Sequence, residues 1–156
     1  MGVMLFLPEE VMGMPDSEIL RDYMMKEVVI IQDIIKRMAT NSFFIKGWAA
    51  TLVVGTLLLK GNWYQVWIAY IPILVFWYLD AYYLWQERLY RKLYNWVITN
   101  RLNTDEYLFD MNAYRFKDEV QSKLRIMVSE TIGLFYGAIA VLVTLYLVLL
   151  WASGGG

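Results

Sequence analysis

Three long apolar runs constrain the fold of this chain more than any other feature of its sequence. They cover residues 43–60, 63–84 and 131–152, and the last of them contains no charged residue. A helix needs about 20 apolar residues to cross a hydrocarbon core of roughly 30 Å. Each run therefore predicts a membrane-spanning helix, and the short segment between the first two predicts a tight helical hairpin.

The composition supports the same fold class. Hydrophobic residues make up 59% of the 156 residues, whereas soluble domains contain about 45–50%. The chain is long enough for one domain. We expect an all-α integral membrane protein that has three transmembrane helices and amphipathic cytoplasmic helices.

The absence of two residue types limits the reactions and the metal sites that this chain can support. The sequence contains no Cys and no His, which excludes disulfides, thiol nucleophiles and imidazole ligands. No paired carboxylate motif or glycine-rich phosphate loop is visible. We therefore expect no catalytic residue, no metal and no cofactor. The net charge of −1 gives no indication of a nucleic-acid partner.

The distribution of Lys and Arg predicts the orientation in an inner (cell) membrane. Residues 1–42 hold four of these cations and residues 85–129 hold eight, whereas the hairpin tip holds only Lys60. Since cytoplasmic segments are enriched in Lys and Arg, we expect the N-terminus inside and the C-terminus outside. The predicted segments are an N-terminal tail (1–15), an amphipathic cytoplasmic helix (16–41), the first span (43–60), the second span (63–84), its cytoplasmic extension (85–100), a connector and helix (101–130), the third span (131–152) and a tail (153–156).

Apolar side chains recur at helical spacing in both cytoplasmic helices. We expect these two stripes to pack against each other. A seam between copies, a docking surface for a cytoplasmic protein and a position flat on the lipid are the alternatives. Asn41-Ser42 predicts a break before the first span, and a further helix is expected to begin between residues 112 and 117. The candidate docking residues are Ile30, Ile31, Ile34, Ile35, Leu89 and Leu93.

Two charges lie inside the predicted hairpin, Lys46 in the first span and Asp80 in the second. Antiparallel helices place them about 21 and 24 Å from the hairpin tip, so we expect an intramembrane ion pair that fixes the register. Separate contacts with the headgroups, a water-filled interior at Asp80 and a catalytic carboxylate are alternative interpretations. Pro72 is expected to kink the second span.

Small residues spaced four apart predict close helix contacts. They are Gly47, Thr51 and Gly55 in the first span and Gly133 and Gly137 in the third. Such faces let membrane helices approach each other. We expect one internal contact and one contact between copies, and hence a homo-oligomer in the bilayer.

The runs Asn41-Ser42-Phe43-Phe44-Ile45-Lys46-Gly47-Trp48 and 76–94, with the pattern FWxLDAYYLxxERLYRKLY, resemble an uncharacterised family of small multi-pass bacterial membrane proteins. The architecture is more loosely similar to that of the SLATT-type membrane effectors of bacterial defence, which implies oligomers that perturb membranes. The third span and the missing sensor domain depart from that type.

The leading functional hypothesis is a non-enzymatic oligomer that forms or regulates a pore. One alternative is an accessory or anchoring subunit that docks a cytoplasmic partner. Another is a small dimeric transporter with a substrate site formed by Asp80, Trp77, Tyr78 and Tyr82.

Overall fold

The computed structural model describes residues 17–58 and 63–153, and within these ranges the chain contains helices and no strand. The terminal tails, Asp16 and the hairpin tip at 59–62 lie outside them. The α-helices are α1 (Ser17–Leu58), α2 (Tyr70–Asn100), α3 (Lys123–Met127) and α4 (Glu130–Ala152), with 3₁₀ helices at Trp63–Ala69 and Ala113–Glu119. Three segments are long and apolar enough to cross a membrane: Ser17–Leu58, Val66–Asn100 and Glu130–Ala152. The predicted all-helical fold with three helices of membrane-spanning length is confirmed.

The first two long helices are antiparallel. Lys46, late in α1, contacts Asp80 near the middle of α2. Gln32, earlier in α1, contacts Tyr94 near the end of α2. The contacting positions thus move in opposite directions along the two helices, as a helical hairpin requires.

The last long helix reverses direction again. The Tyr70 hydroxyl at the start of α2 lies 2.7 Å from Thr144 Oγ1 in the second half of α4. Trp77, two turns further along α2, stacks on Tyr136 in the first half of α4. The three helices therefore run up, down and up, with α2 contacting both of the others.

No helix break occurs at Asn41-Ser42, so that prediction is wrong. α1 continues through both residues over 42 residues, a length of about 63 Å at 1.5 Å per residue. Asn and Ser cost only a few tenths of a kcal/mol inside a helix. The Ser42 hydroxyl hydrogen-bonds to Asp80 instead of capping a helix end.

The expected kink at Pro72 is also replaced by a different arrangement. The chain forms a 3₁₀ helix up to Ala69, and Pro72 is the third residue of α2. Proline is tolerated in a first turn, where its missing N–H leaves no broken α-helical hydrogen bond. The change of helix type precedes Pro72, and the α-helix then continues without interruption to Asn100.

The connector after α2 contains less α-helix than expected. A 3₁₀ helix at Ala113–Glu119, with Asn112 accepting a hydrogen bond from the Tyr114 amide, replaces the predicted α-helix start. Tyr107 and Phe109 have positive φ values of 57° and 55°, which non-glycine residues adopt rarely. The connector is thus a specific folded loop between α2 and α3.

The apolar stripes that were predicted to be cytoplasmic pack mainly within the chain. Ile31, Leu89 and Leu93 are fully buried between α1 and α2, and Ile35 packs against the same core. Burial of a Leu or Ile side chain contributes about 1.5–3 kcal/mol. The three fully buried residues therefore have no surface left for a separate partner, and the docking prediction fails for them.

Candidate functional site

Asp80 is the centre of a buried polar cluster. Its side chain has no exposed surface, and Lys46 Nζ lies 2.6 Å from Asp80 Oδ2. The Ser42 hydroxyl donates a hydrogen bond to Asp80 Oδ1, and Lys46 Nζ lies 2.9 Å from Ser42 Oγ. Ser42 and Lys46 are four residues apart, so they lie on the same face of α1 and reach the carboxylate together.

The third long helix completes this cluster through Tyr136. The Tyr136 side chain is fully buried and stacks on Trp77, with the ring centroids 5.9 Å apart and the planes inclined by 10°. Its hydroxyl has no hydrogen-bond partner among the described residues. We call Ser42, Lys46, Asp80 and Tyr136 the polar centre, because it draws on all three long helices.

The position of the polar centre along the helices can be measured from the start of α4. Tyr136 lies six residues after the start of this helix, which corresponds to about 9 Å along its axis. A carboxylate at such a position would cost several kcal/mol without its cation and donor. The Lys46 side chain remains 23% exposed, so its ammonium can also reach toward a polar boundary.

The geometry of the polar centre favours a structural role over a binding pocket. Asp80 has no exposed surface, so the isolated chain has no water-filled space at the carboxylate. Among the other residues of the predicted transporter site, Trp77 stacks on Tyr136, Tyr78 is 50% exposed, and Tyr82 contacts Gln86 one turn further along α2. These aromatic residues do not converge on one cavity.

The predicted glycine contacts are not made within the chain. A Cβ atom at Gly47, Gly55 or Gly137 would meet nothing within 4 Å, and a Cβ at Gly133 would lie 3.3 Å from the backbone carbon of Val128 in the preceding turn. Thr51 is exposed, and its hydroxyl donates to the Gly47 carbonyl. Among the described residues, the small-residue face of α1 therefore remains open, and the expected contact between copies stays a prediction.

Sequence reasoning missed a second buried ion pair, between Glu27 in α1 and Arg101 after α2. Arg101 Nε lies 2.6 Å from Glu27 Oε2 and Arg101 Nη2 lies 2.9 Å from Glu27 Oε1. The side chains are 1% and 0% exposed. Two parallel bonds of this kind fix both the distance and the orientation of the partners.

This pair also organises the connector. The Arg101 guanidinium donates to the carbonyls of Thr104, Glu106 and Tyr107, at 3.0, 2.7 and 3.1 Å. The Phe109 amide donates to Glu27 Oε1 at 2.7 Å. The loop that contains the two positive φ values is thus held to the N-terminal half of α1 by one ion pair and four further hydrogen bonds.

A local signal for this pair exists in the sequence. Glu27 is in phase with Leu20, Met24 and Ile31, so it is an acid on an otherwise apolar helical stripe. An acid at such a position needs a partner. Which of the eight cations between residues 85 and 129 supplies it cannot be read from spacing.

Scans of protein-family models, of curated proteins and of solved structures find no match to this chain. Within the described ranges, no group of three or more acidic, His or Cys side chains is arranged to hold a metal ion.

Proposed function

We propose that this chain is a multi-pass protein of the inner membrane, with its N-terminus inside and its C-terminus outside, that associates with copies of itself and forms or regulates a pore. The proposal assigns it no enzymatic activity. It rests on the three helices of membrane-spanning length and on one exposed stripe of α1, which carries the argument for self-association.

The stripe runs along α1 from Ile30 to Gly55. Its residues are spaced alternately three and four apart, except for one final step of four, and each of them is exposed in the isolated chain. This spacing of about 3.5 residues is the one that keeps a seam facing a partner helix. The stripe consists of Ile30, Asp33, Arg37, Thr40, Phe44, Gly47, Thr51 and Gly55.

Two properties of the α1 stripe favour a second copy as its partner. In the span, Gly47 and Gly55 leave room for another helix backbone, because nothing lies within 4 Å of a Cβ at either residue. Outside the span, Asp33 and Arg37 form no ion pair with another described residue. An acid and a base on the same stripe can pair across two copies of one chain.

The polar centre has a supporting role in this proposal. It fixes the register of three helices at one level through Lys46, Asp80 and Tyr136. A fixed register keeps the Gly47–Gly55 face directed away from α2. We therefore propose that the pore lies between copies of the chain. The polar centre itself is filled by its own side chains and offers no path.

The first experiment measures particle mass in nanodiscs for the wild type and for Gly55→Leu. We expect an oligomer for the wild type and at least a tenfold lower affinity between copies for the variant, because a bulky side chain separates the backbones. Gly137→Leu is the matched control, since a Cβ there also meets nothing within 4 Å. A monomeric wild type, or equal effects of the two substitutions, would contradict the role of the stripe.

The second experiment measures ion and dye flux from liposomes at a defined protein density. An oligomer that leaves flux at the level of empty vesicles would refute the pore while leaving self-association intact. Insertion is tested separately by cysteine labelling of Asn103→Cys and Ser153→Cys. Because the chain has no native Cys, each variant carries a single labelling site. We expect label access from opposite sides of the membrane.

The anchoring-subunit function is a second candidate, because part of the α1 surface forms an open groove. The groove has a volume of about 620 Å³ and includes Ile30, Asp33, Ile34 and Arg37. A chain that stays monomeric in nanodiscs of every lipid composition tested would favour this function over the pore.

A further inference from the structure

The short helix α3 combines exposed apolar residues with free cations. Ile126 is fully buried against the rest of the chain, whereas Leu124 and Val128 are 72% and 74% exposed. Arg125, between them, is exposed and forms no ion pair with any described residue. Apolar side chains beside cations are typical of elements that lie at a membrane surface.

Two contacts place α3 beside the part of α2 between Trp77 and Trp85. Trp77 Nε1 donates to the Met127 carbonyl at 2.9 Å, and Lys123 Nζ lies 4.6 Å from the centre of the Trp85 ring. α4 begins three residues after Met127, at Glu130. Under the proposed topology, α3 therefore lies at the cytoplasmic edge of the hydrocarbon core.

Arg88 projects from α2 close to this edge. Trp77 stacks on Tyr136, six residues into α4, so the level of Glu130 corresponds to about residue 83 of α2. Arg88 then lies about 7 Å beyond the hydrocarbon edge, within the headgroup layer. Its guanidinium donates to the neutral Gln121 amide oxygen at 3.0 Å. It has no carboxylate partner among the described residues.

A groove next to Arg88 is lined mainly by polar residues of α2 and of the segment 119–121, which precedes α3. Its volume is about 340 Å³, and it is lined by Arg88, Arg91, Lys92 and Gln121, among others. Lys92 and Arg91 are paired with acids, so the cations that remain available at this level are Arg88, Lys123 and Arg125. Their charge is not neutralised within the described chain.

We propose that Arg88, Lys123 and Arg125 bind the phosphodiester headgroup of an anionic phospholipid in the cytoplasmic leaflet. Leu124 and Val128 contact the acyl chains of the same lipid. The inference rests on the proposed membrane insertion and orientation. A lipid fits better than a soluble phosphate, because the free cations occur at headgroup depth and directly beside two exposed apolar side chains.

The test uses the full chain in nanodiscs of phosphatidylcholine that contain a quarter phosphatidylglycerol. Lipids retained by the protein after extraction are measured by native mass spectrometry. We expect retention of phosphatidylglycerol over phosphatidylcholine, and a decrease of about fivefold in this preference for each charge removed in Arg88→Gln/Arg125→Gln. The double variant Arg21→Gln/Lys36→Gln removes the same charge from exposed positions of α1 and should leave the preference unchanged.

The outcomes separate this site from its alternatives. Equal losses in both double variants would mean general attraction to charge and would overturn the site. Protection of the detergent-solubilised protein by inorganic phosphate to the same extent as by phosphatidylglycerol would assign a soluble anion instead of a lipid. Cysteine labelling that shows no insertion would refute the proposed topology. Insertion without lipid preference would refute this inference alone.

Discussion

Replacing Glu27 by Gln removes the charge of one member of the buried pair and changes its shape very little. Arg101 would keep its bonds to the connector carbonyls but would lose its carboxylate partner, although its side chain has no exposed surface. The amide nitrogen of Gln would also face either the guanidinium or the Phe109 N–H, both of which are donors. The substitution therefore leaves an uncompensated buried charge.

The expected loss of stability is about 3–5 kcal/mol, the range for breaking a buried ion pair by removing one partner. For a chain of this size, each kcal/mol lowers the melting temperature by about 2–4 °C. We therefore expect the Tm in detergent to fall by about 6–20 °C. The retained carbonyl bonds of Arg101 favour the lower part of this range.

Two measurements test this prediction. Thermal unfolding gives the global effect, and hydrogen exchange at the Phe109 amide reports whether the connector is released, since that amide donates to Glu27. Glu119→Gln is the matched control because its partner Lys92 and Glu119 itself are both half-exposed, so we expect a loss under about 1 kcal/mol. Equal shifts in the two variants, or unchanged exchange at Phe109, would refute the assignment of Glu27–Arg101 as the pair that holds the connector.

Two further predictions concern the polar centre. Asp80→Asn should destabilise the protein by about 3 kcal/mol in detergent unfolding. Adding Lys46→Met should recover part of this loss, because the second change removes the unpaired cation. No recovery would show that the two residues act independently. Tyr136→Phe should cost less than about 1 kcal/mol, since the hydroxyl has no hydrogen-bond partner among the described residues, whereas Tyr136→Ala should cost about 3–5 kcal/mol through the cavity that it leaves. A loss above about 2 kcal/mol for Tyr136→Phe would mean that the hydroxyl bonds to Asp80.

The features predicted well from sequence were those that depend on neighbouring residues. Apolar runs of sufficient length predicted the three long helices, and the stripe at Leu89 and Leu93 predicted the continuation of α2 to Asn100. Lys46 and Asp80 were also expected at one depth, because a short hairpin fixes the register of its two helices. The structure places these two side chains 2.6 Å apart.

Local signals failed where a tertiary contact competes with them. Asn41-Ser42 has the composition of a helix break, but the Ser42 hydroxyl bonds to Asp80 and α1 continues. Gly47 and Gly55 have the spacing of a helix contact, but no atom of another described residue lies within 4 Å of a Cβ at either position. In both cases the local pattern does not reveal which residues of the folded chain lie next to it.

The sequence alone determined that the chain is helical, that three segments are long and apolar enough to span a membrane, and that His and Cys chemistry is excluded. Only the tertiary structure decided that Tyr136 stacks on Trp77, three residues before Asp80, and that Arg101 is the partner of Glu27. The physical reason is the range of each effect. Helix formation and apolar length depend on consecutive residues, whereas these contacts join positions more than fifty residues apart and depend on how three helices rotate against one another.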